Sequence, residues 1–204
     1  MKKKLAAGLV ASALAVTTLG ATAPAQAAHG TKSLASVLAA EGTRFDKNPR
    51  DYDITEAAVL AVLDAKPNSP VKILTQGSKK ATAFIPSDVA FQRLVASLTG
   101  SRPATERATF NAVAGLGIDT VETVLLYHVI PNKTLNSPQV LAARGTRVKT
   151  AQGGTIRVTV KKGRVILGDL DRNAVNPTVS VLDINRGNRQ VGHGINRVLR
   201  PLDL

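Results

Sequence analysis

The spacing of apolar residues changes period once along this 204-residue chain, and that change limits the folds open to it. From Thr31 to about Gly117 the spacing is helical. Leu34, Val37 and Leu38 share one face of a first helix that Gly42 can end, and Phe91, Leu94, Val95 and Leu98 repeat at i, i+3, i+4 and i+7 in a later one. After Val140 the period becomes two. In TIRVTVKKGRVIL, Ile156, Val158 and Val160 face one side while Thr155, Arg157 and Thr159 face the other. Helices first and strands later predict an α+β domain.

Turn and cap residues divide these regions further. Thr55 is placed to cap a second helix, DITEAAVLAVLDA, which Pro67 and Pro70 stop. VKIL before TQGSKK reads as a short strand or a helix end. ATAFI reads as a strand ended by Pro86, with Ser87 or Asp88 capping the helix that runs to Gly100. ATERATFNAVAGLG is another short helix, and Asp119 can cap TVETVLLY, which runs into the apolar HVIPNKTL. Lys161 to Gly163 is a hairpin turn, RVKTAQGGTIRV is a preceding hairpin, and RQVGHGINRVLRPLDL supplies a last strand closing at Pro201.

At the N-terminus three lysines precede a small, apolar run that ends in AQA, the pattern of a secretory signal peptide over residues 1–27, with residues 28–204 forming one domain. Pro24 and the alanine-rich TAPAQAAHG argue against a stable membrane span. The chain has no cysteine, so an exported product gains nothing from disulfides and its roughly 175 mature residues must supply their own core. The formal charge of +13 is uneven: residues 144–204 carry 12 basic and 4 acidic side chains, a net +8. Such a surface attracts anionic polymers or headgroups. Nucleic acid is disfavoured as a partner by export and by the lack of aromatics for base stacking, since there are two Tyr, four Phe and no Trp.

Catalytic and metal signatures are sparse. Thiol chemistry is excluded, and no serine sits in a G-x-S-x-G elbow. His128 and His193 lack the short spacing of a zinc site. DLDRNAVNPTVS begins like a calcium loop at Asp169, Asp171 and Asn173, but Ala174 stands where the sharp turn needs Gly and Ser180 where the loop needs Glu, so a polar turn is expected. AGLGID lacks the lysine of a phosphate cradle, and the glycines of GHGIN suit a close approach or bulge in a strand. No metal and no cofactor is expected.

Taken in order, DYDITEAAVLAVLD, TAFIPSDVAF, LLYHVIPNKTL and GHGINRVLRP resemble the successive boxes of the fasciclin domain family, spanning about Ser33 to Pro201. A single such domain behind a signal peptide resembles the small secreted fasciclin proteins of actinobacteria. The resemblance implies a β-wedge with a helical bundle packed at one edge, and a role in adhesion and matrix contact rather than catalysis. It also implies that Tyr127 and His128 match a Tyr-His pair named in the family as an integrin-binding motif. Their other role is structural, rings buried and polar tips satisfied on backbone, because a buried pair cannot reach a partner without rearrangement. Ser87 and Asp88 match a box sometimes given a binding role, which a helix cap explains equally well. The sequence departs from the family at Asn196, where many members have Asp, in NRQVGH, and in having no Arg-Gly-Asp, so integrin recognition is not supported.

The expected product is therefore a secreted, extracellular, non-catalytic protein that binds an extracellular or cell-envelope component, an anionic polymer being one candidate. Its own suggestion for a contact surface is the solvent side of the basic hairpins: Arg147, Lys149, Arg157, Lys161, Lys162 and Arg164. Two alternatives remain. One is a carrier whose apolar wedge between sheet and helices takes a lipid or other small apolar ligand. The other is a hydrolase using His128 or His193 with Asp169, Asp171 or Asp183.

Overall fold

Strand β1 (Ala81–Pro86) is buried along its whole length, because it divides two cores. In the computed structural model, which describes residues 29–40, 42 and 45–202, Ala81, Ala83 and Ile85 point into a helical core with Ile54, Val62 and Phe91. Phe84 points the other way, into a second core with Tyr127, Ile156, Val158 and Leu167. An apolar run flanked by turn signals is what a strand covered on both faces requires. The expected signal peptide lies outside the described residues.

The helices are α1 (Leu34–Leu38), α2 (Asp53–Ala65), a 3-10 helix (Pro70–Thr75), α3 (Asp88–Thr99), α4 (Glu106–Ala114), α5 (Ile118–Tyr127) and α6 (Ser137–Ala142). The remaining strands are β2 (Val129–Pro131), β3 (Arg147–Lys149), β4 (Thr155–Lys161), β5 (Arg164–Gly168), β6 (Val179–Ile184) and β7 (Gln190–Ile195). One sheet has the order β2-β1-β7-β6 and the other β3-β4-β5. β1 and β7 run parallel, pairing Ala81 with Gln190 through Pro86 with Ile195, although they lie far apart in the chain. The two sheets meet through the Ile166–Thr178 bridge and enclose the second core. The α+β arrangement is the one the change of period predicts. No described helix is long and apolar enough to cross a membrane.

Several caps differ from expectation because side chains serve neighbouring elements instead of their own helix. α2 starts after Tyr52, and the Thr55 hydroxyl, inside the first turn, donates to the Pro86 carbonyl at 2.7 Å. Ser87 precedes α3 without a side-chain cap, while Asp88 Oδ1 accepts from the Ile54 N–H at 3.0 Å and so caps α2. α5 opens one residue before Asp119, behind Gly117, and Asp119 and Glu122 pair with Lys66 across from α2. α1 stops at Leu38, short of Gly42. VKIL lies in the 3-10 helix, opened by Ser69, whose hydroxyl accepts from the Val71 N–H.

Two elements escaped the sequence reading. α6 opens with a capping box between Asn136 and Gln139, and β6 is an exposed edge strand whose alternation is broken by register shifts against β7. The GHGIN glycines sit where neighbouring side chains approach the backbone closely. A Cβ on Gly194 would stand 2.1 Å from the Tyr52 hydroxyl, and one on Gly192 2.5 Å from Ile85 Cδ1.

Candidate binding surface

Tyr127 ends α5 and His128 caps it, and the apolar spacing of TVETVLLY turns both toward the interior. Tyr127 is 0% and His128 4% exposed. The Tyr127 hydroxyl donates to the Thr155 carbonyl of β4 at 2.8 Å, and its ring packs against Gly154, where a Cβ would come within 3.0 Å. His128 Nδ1–H donates to the Val124 carbonyl at 2.7 Å while Nε2 accepts from the Leu199 N–H at 2.9 Å, which defines the neutral tautomer. The His128 carbonyl accepts from the Phe84 N–H at 3.0 Å. Burial pushes the imidazole down to about 4, against the opposing hydrogen bond to Val124. The pair thus ties α5 to both sheets, and its polar side-chain atoms are taken up internally.

His193 is spent in the same way. Its Nε2–H donates to the Leu135 carbonyl at 2.8 Å, and Nδ1 accepts from the Asp183 N–H. Asp183 turns its carboxylate to Ser137, accepting from both the N–H and the hydroxyl at 2.7 Å. Asp171 accepts from the Asn173 and Ala174 N–H groups and pairs with Arg200 at 3.1 Å, and Asp169 accepts from the Arg200 N–H. Each of these aspartates is engaged in a turn or strand end. Neither histidine hydrogen-bonds a carboxylate among the described residues. Asn196 also acts locally, its Oδ1 accepting from the Thr178 N–H at 2.8 Å where β6 begins.

The basic residues behave differently. On the β3-β4-β5 sheet, Val148, Ile156, Val158, Val165 and Leu167 are buried, which leaves Arg147, Lys149, Arg157, Lys161 and Arg164 on the opposite, solvent face. The register sets Arg147 directly across from Arg157, and Lys161 across from Arg164. Lys162 and Gly163 both have positive φ, 49° and 75°, the two-residue turn that matches strand twist and presents Lys162 at the tip. None of the six is in an ion pair among the described residues. Like charges held face to face destabilise a sheet, so this face carries an unneutralised field that an anion would relieve.

At the edge of that face lies a polar hollow of about 280 Å³, lined by Arg147, Arg157 and Arg172 together with Asp169, Asp171 and Asn176. Arg172 was not singled out from sequence. The signal for it was the Asp171 turn, which places Arg172 outward. A second, apolar cavity of about 330 Å³ opens between α1, α2 and β1, among Leu38, Val59, Leu60, Leu63, Leu74 and Ile85. The buried Glu56 carboxyl beside it is pushed up by desolvation and by Asp53.

With this geometry in hand, the class is clear from fold and sequence together: the fasciclin domain family matches residues 56–201, and the chain belongs to it. The fold is also that of a solved structure described as a FAS1 domain pair from the insect cell adhesion molecule Fasciclin I, with a TM-score of 0.53 and 16% identity. The match covers 76% of this chain and 48% of that one, so this chain spans about half of the pair. No curated protein matches the chain.

Proposed function

We propose that this protein is a secreted, non-catalytic adhesion module that binds an anionic extracellular or cell-envelope component through the basic face of β3-β4-β5. The observation that carries the proposal is the set of six exposed, unpaired cations on one sheet, with Arg147 held opposite Arg157. Family membership supports the adhesive role, as does the fold it shares with a cell adhesion molecule. Multiple weak contacts to phosphates or carboxylates along a polymer add up through effective concentration, and salt screens them. The test is binding of the purified protein to isolated envelopes and to an immobilised polyanion at low and high salt. Saturable binding that the double variant Arg147→Glu/Arg157→Glu loses is expected; equal binding by that variant would sink the assignment to this face.

The apolar cavity favours a second reading, carriage of a small apolar ligand, because its lining offers shape and burial but few polar contacts. Native mass spectrometry of the protein from its producing cells separates the two. A stoichiometric apolar adduct lost on Leu63→Trp would favour carriage over adhesion.

A further inference from the structure

Five of the chain's fourteen acidic residues converge at one end of the helical layer, in a protein whose formal charge is +13. They arrive from three segments: Asp46, Asp51 and Asp53 from the connection into α2 and its first residue, Asp88 from the start of α3, and Glu106 from the start of α4. One oxygen each from Asp51, Asp53 and Asp88 lie within 4.8 Å of one another, and so do one each from Asp46, Asp51 and Glu106. Oxygens that share a calcium ion at 2.3–2.6 Å stand no farther apart than about 5 Å. Both groups therefore have the dimensions of a coordination sphere, and Asp51 belongs to both.

Proximity of acids alone would say little, since first-turn carboxylates are common at helix N-termini. Two of these side chains are, however, buried with an oxygen to spare. Asp88 is 0% and Glu106 3% exposed, and Asp88 Oδ2 and Glu106 Oε2 have no hydrogen-bond partner. The α2 N-terminus accounts only for Asp88 Oδ1, through the Ile54 N–H. Asp51 Oδ1 is likewise buried without a partner. Among the described residues no Lys or Arg forms an ion pair with Asp46, Asp51, Asp88 or Glu106. Burial and the carboxylates around them push Asp88 up to about 8 and Glu106 up to about 7. Crowded buried carboxyls, with Asp51 and Asp88 close enough to share a proton and held together by backbone contacts such as Asp88 N–H to the Asp51 carbonyl at 3.1 Å, are relieved either by protonation or by a cation.

We propose that these carboxylates hold a divalent cation of the calcium type, with Asp51 as the central ligand. The donor set is oxygen only, with no His or Cys, which suits a hard cation and not zinc or copper. Irregular groupings drawn from three segments fit the flexible sphere of calcium better than the strict octahedron of magnesium. The ion would clip the loop before α2 to the N-termini of α3 and α4. Neither histidine and no residue of the Asp169 loop belongs to either group.

The experiment is a titration of the chelator-stripped protein with Ca2+ alone, read by thermal melting, and with Tb3+, read by luminescence on exciting tyrosine. The chain has two tyrosines and no tryptophan, and Tyr52 lies between two of the ligands in sequence. Saturating Ca2+, about 100-fold above its Kd, is expected to raise the Tm by roughly 5–10 °C. Tb3+ luminescence should be displaced by Ca2+ and should fall in Tyr52→Phe but not in Tyr127→Phe. Asp51→Asn and, independently, Glu106→Gln keep the size and shape of the side chains and should fold, and should weaken the Ca2+ response at least tenfold. A wild-type protein with no Tm shift in millimolar Ca2+ and no Tb3+ signal overturns the proposal, as does an undiminished response in Asp51→Asn.

Discussion

The Tyr127-His128 junction and the β3-β4-β5 face were both candidates for contact with a partner, and the molecule uses them in opposite ways. At the junction, polar atoms sit in an apolar run and are consumed by backbone groups of β4, of α5 and of the segment after β7. On the face, charged side chains alternate with apolar ones, lie exposed, and form no ion pair among the described residues. A polar residue in a hydrophobic segment is thus not by itself a contact site. What separates the two cases is whether its hydrogen bonds close internally, because buried polar groups persist only when they do.

The largest expected effect lies at the junction. Tyr127→Ala removes a fully buried ring and strands the Thr155 carbonyl, and should cost about 3–5 kcal/mol in urea denaturation. Binding per folded molecule should stay unchanged; lost binding with normal stability would erase the contrast between the two regions.

Acid should act next, and on the same region. The folded protein keeps His128 neutral down to about 4, whereas the unfolded imidazole protonates near its ordinary value of 6.5. Between these limits the unfolded chain holds the extra proton, so the stabilisation is complete above 6.5 and declines as the pH falls. From pH 7 to 5 the loss from His128 alone should be about 2 kcal/mol. Burial lowers His193 as well, despite its Leu135 hydrogen bond and Asp183, and it adds a loss of the same sign. Asp88 and Glu106, raised by burial to about 8 and about 7, contribute with the opposite sign over the same range, so the His128 share is read as the difference in the pH dependence of the urea midpoint between the wild type and His128→Gln, while binding on the sheet face follows salt instead.

The smallest expected effect has the opposite sign. Arg157→Glu replaces a like-charge pair with an opposite-charge pair across from Arg147 and should stabilise the sheet by about 0.2–1 kcal/mol while weakening polyanion binding. Calorimetry and binding on the same samples would test both. A destabilised variant would mean that the register places no real repulsion there.

Legibility followed the range of the interactions. Ile156, Val158 and the KKG turn encode one hairpin through neighbours in sequence, and the basic face came with it. The same holds for the ATAFI strand and the α3 stripe. By contrast, Asp88 and Thr55 looked like caps of their own helices and instead serve α2 and the Pro86 carbonyl, a consequence of how α2 packs beside β1 and α3. β6 was hidden by its bulges, and the β1–β7 pairing by the long chain between its strands.

Local periodicity and turn chemistry by themselves determined the α+β class, the order of most helices and hairpins and the basic face, while the resemblance of four segments to fasciclin boxes marked the family. Tertiary structure alone decided which backbone groups take up the polar tips of Tyr127 and His128, that an apolar cavity opens between α1, α2 and β1, and that Asp51, Asp88 and Glu106 share one buried corner. The physical reason is that side-chain alternation and turn chemistry act over a few residues, whereas burial and the meeting of like charges depend on segments that only packing brings together.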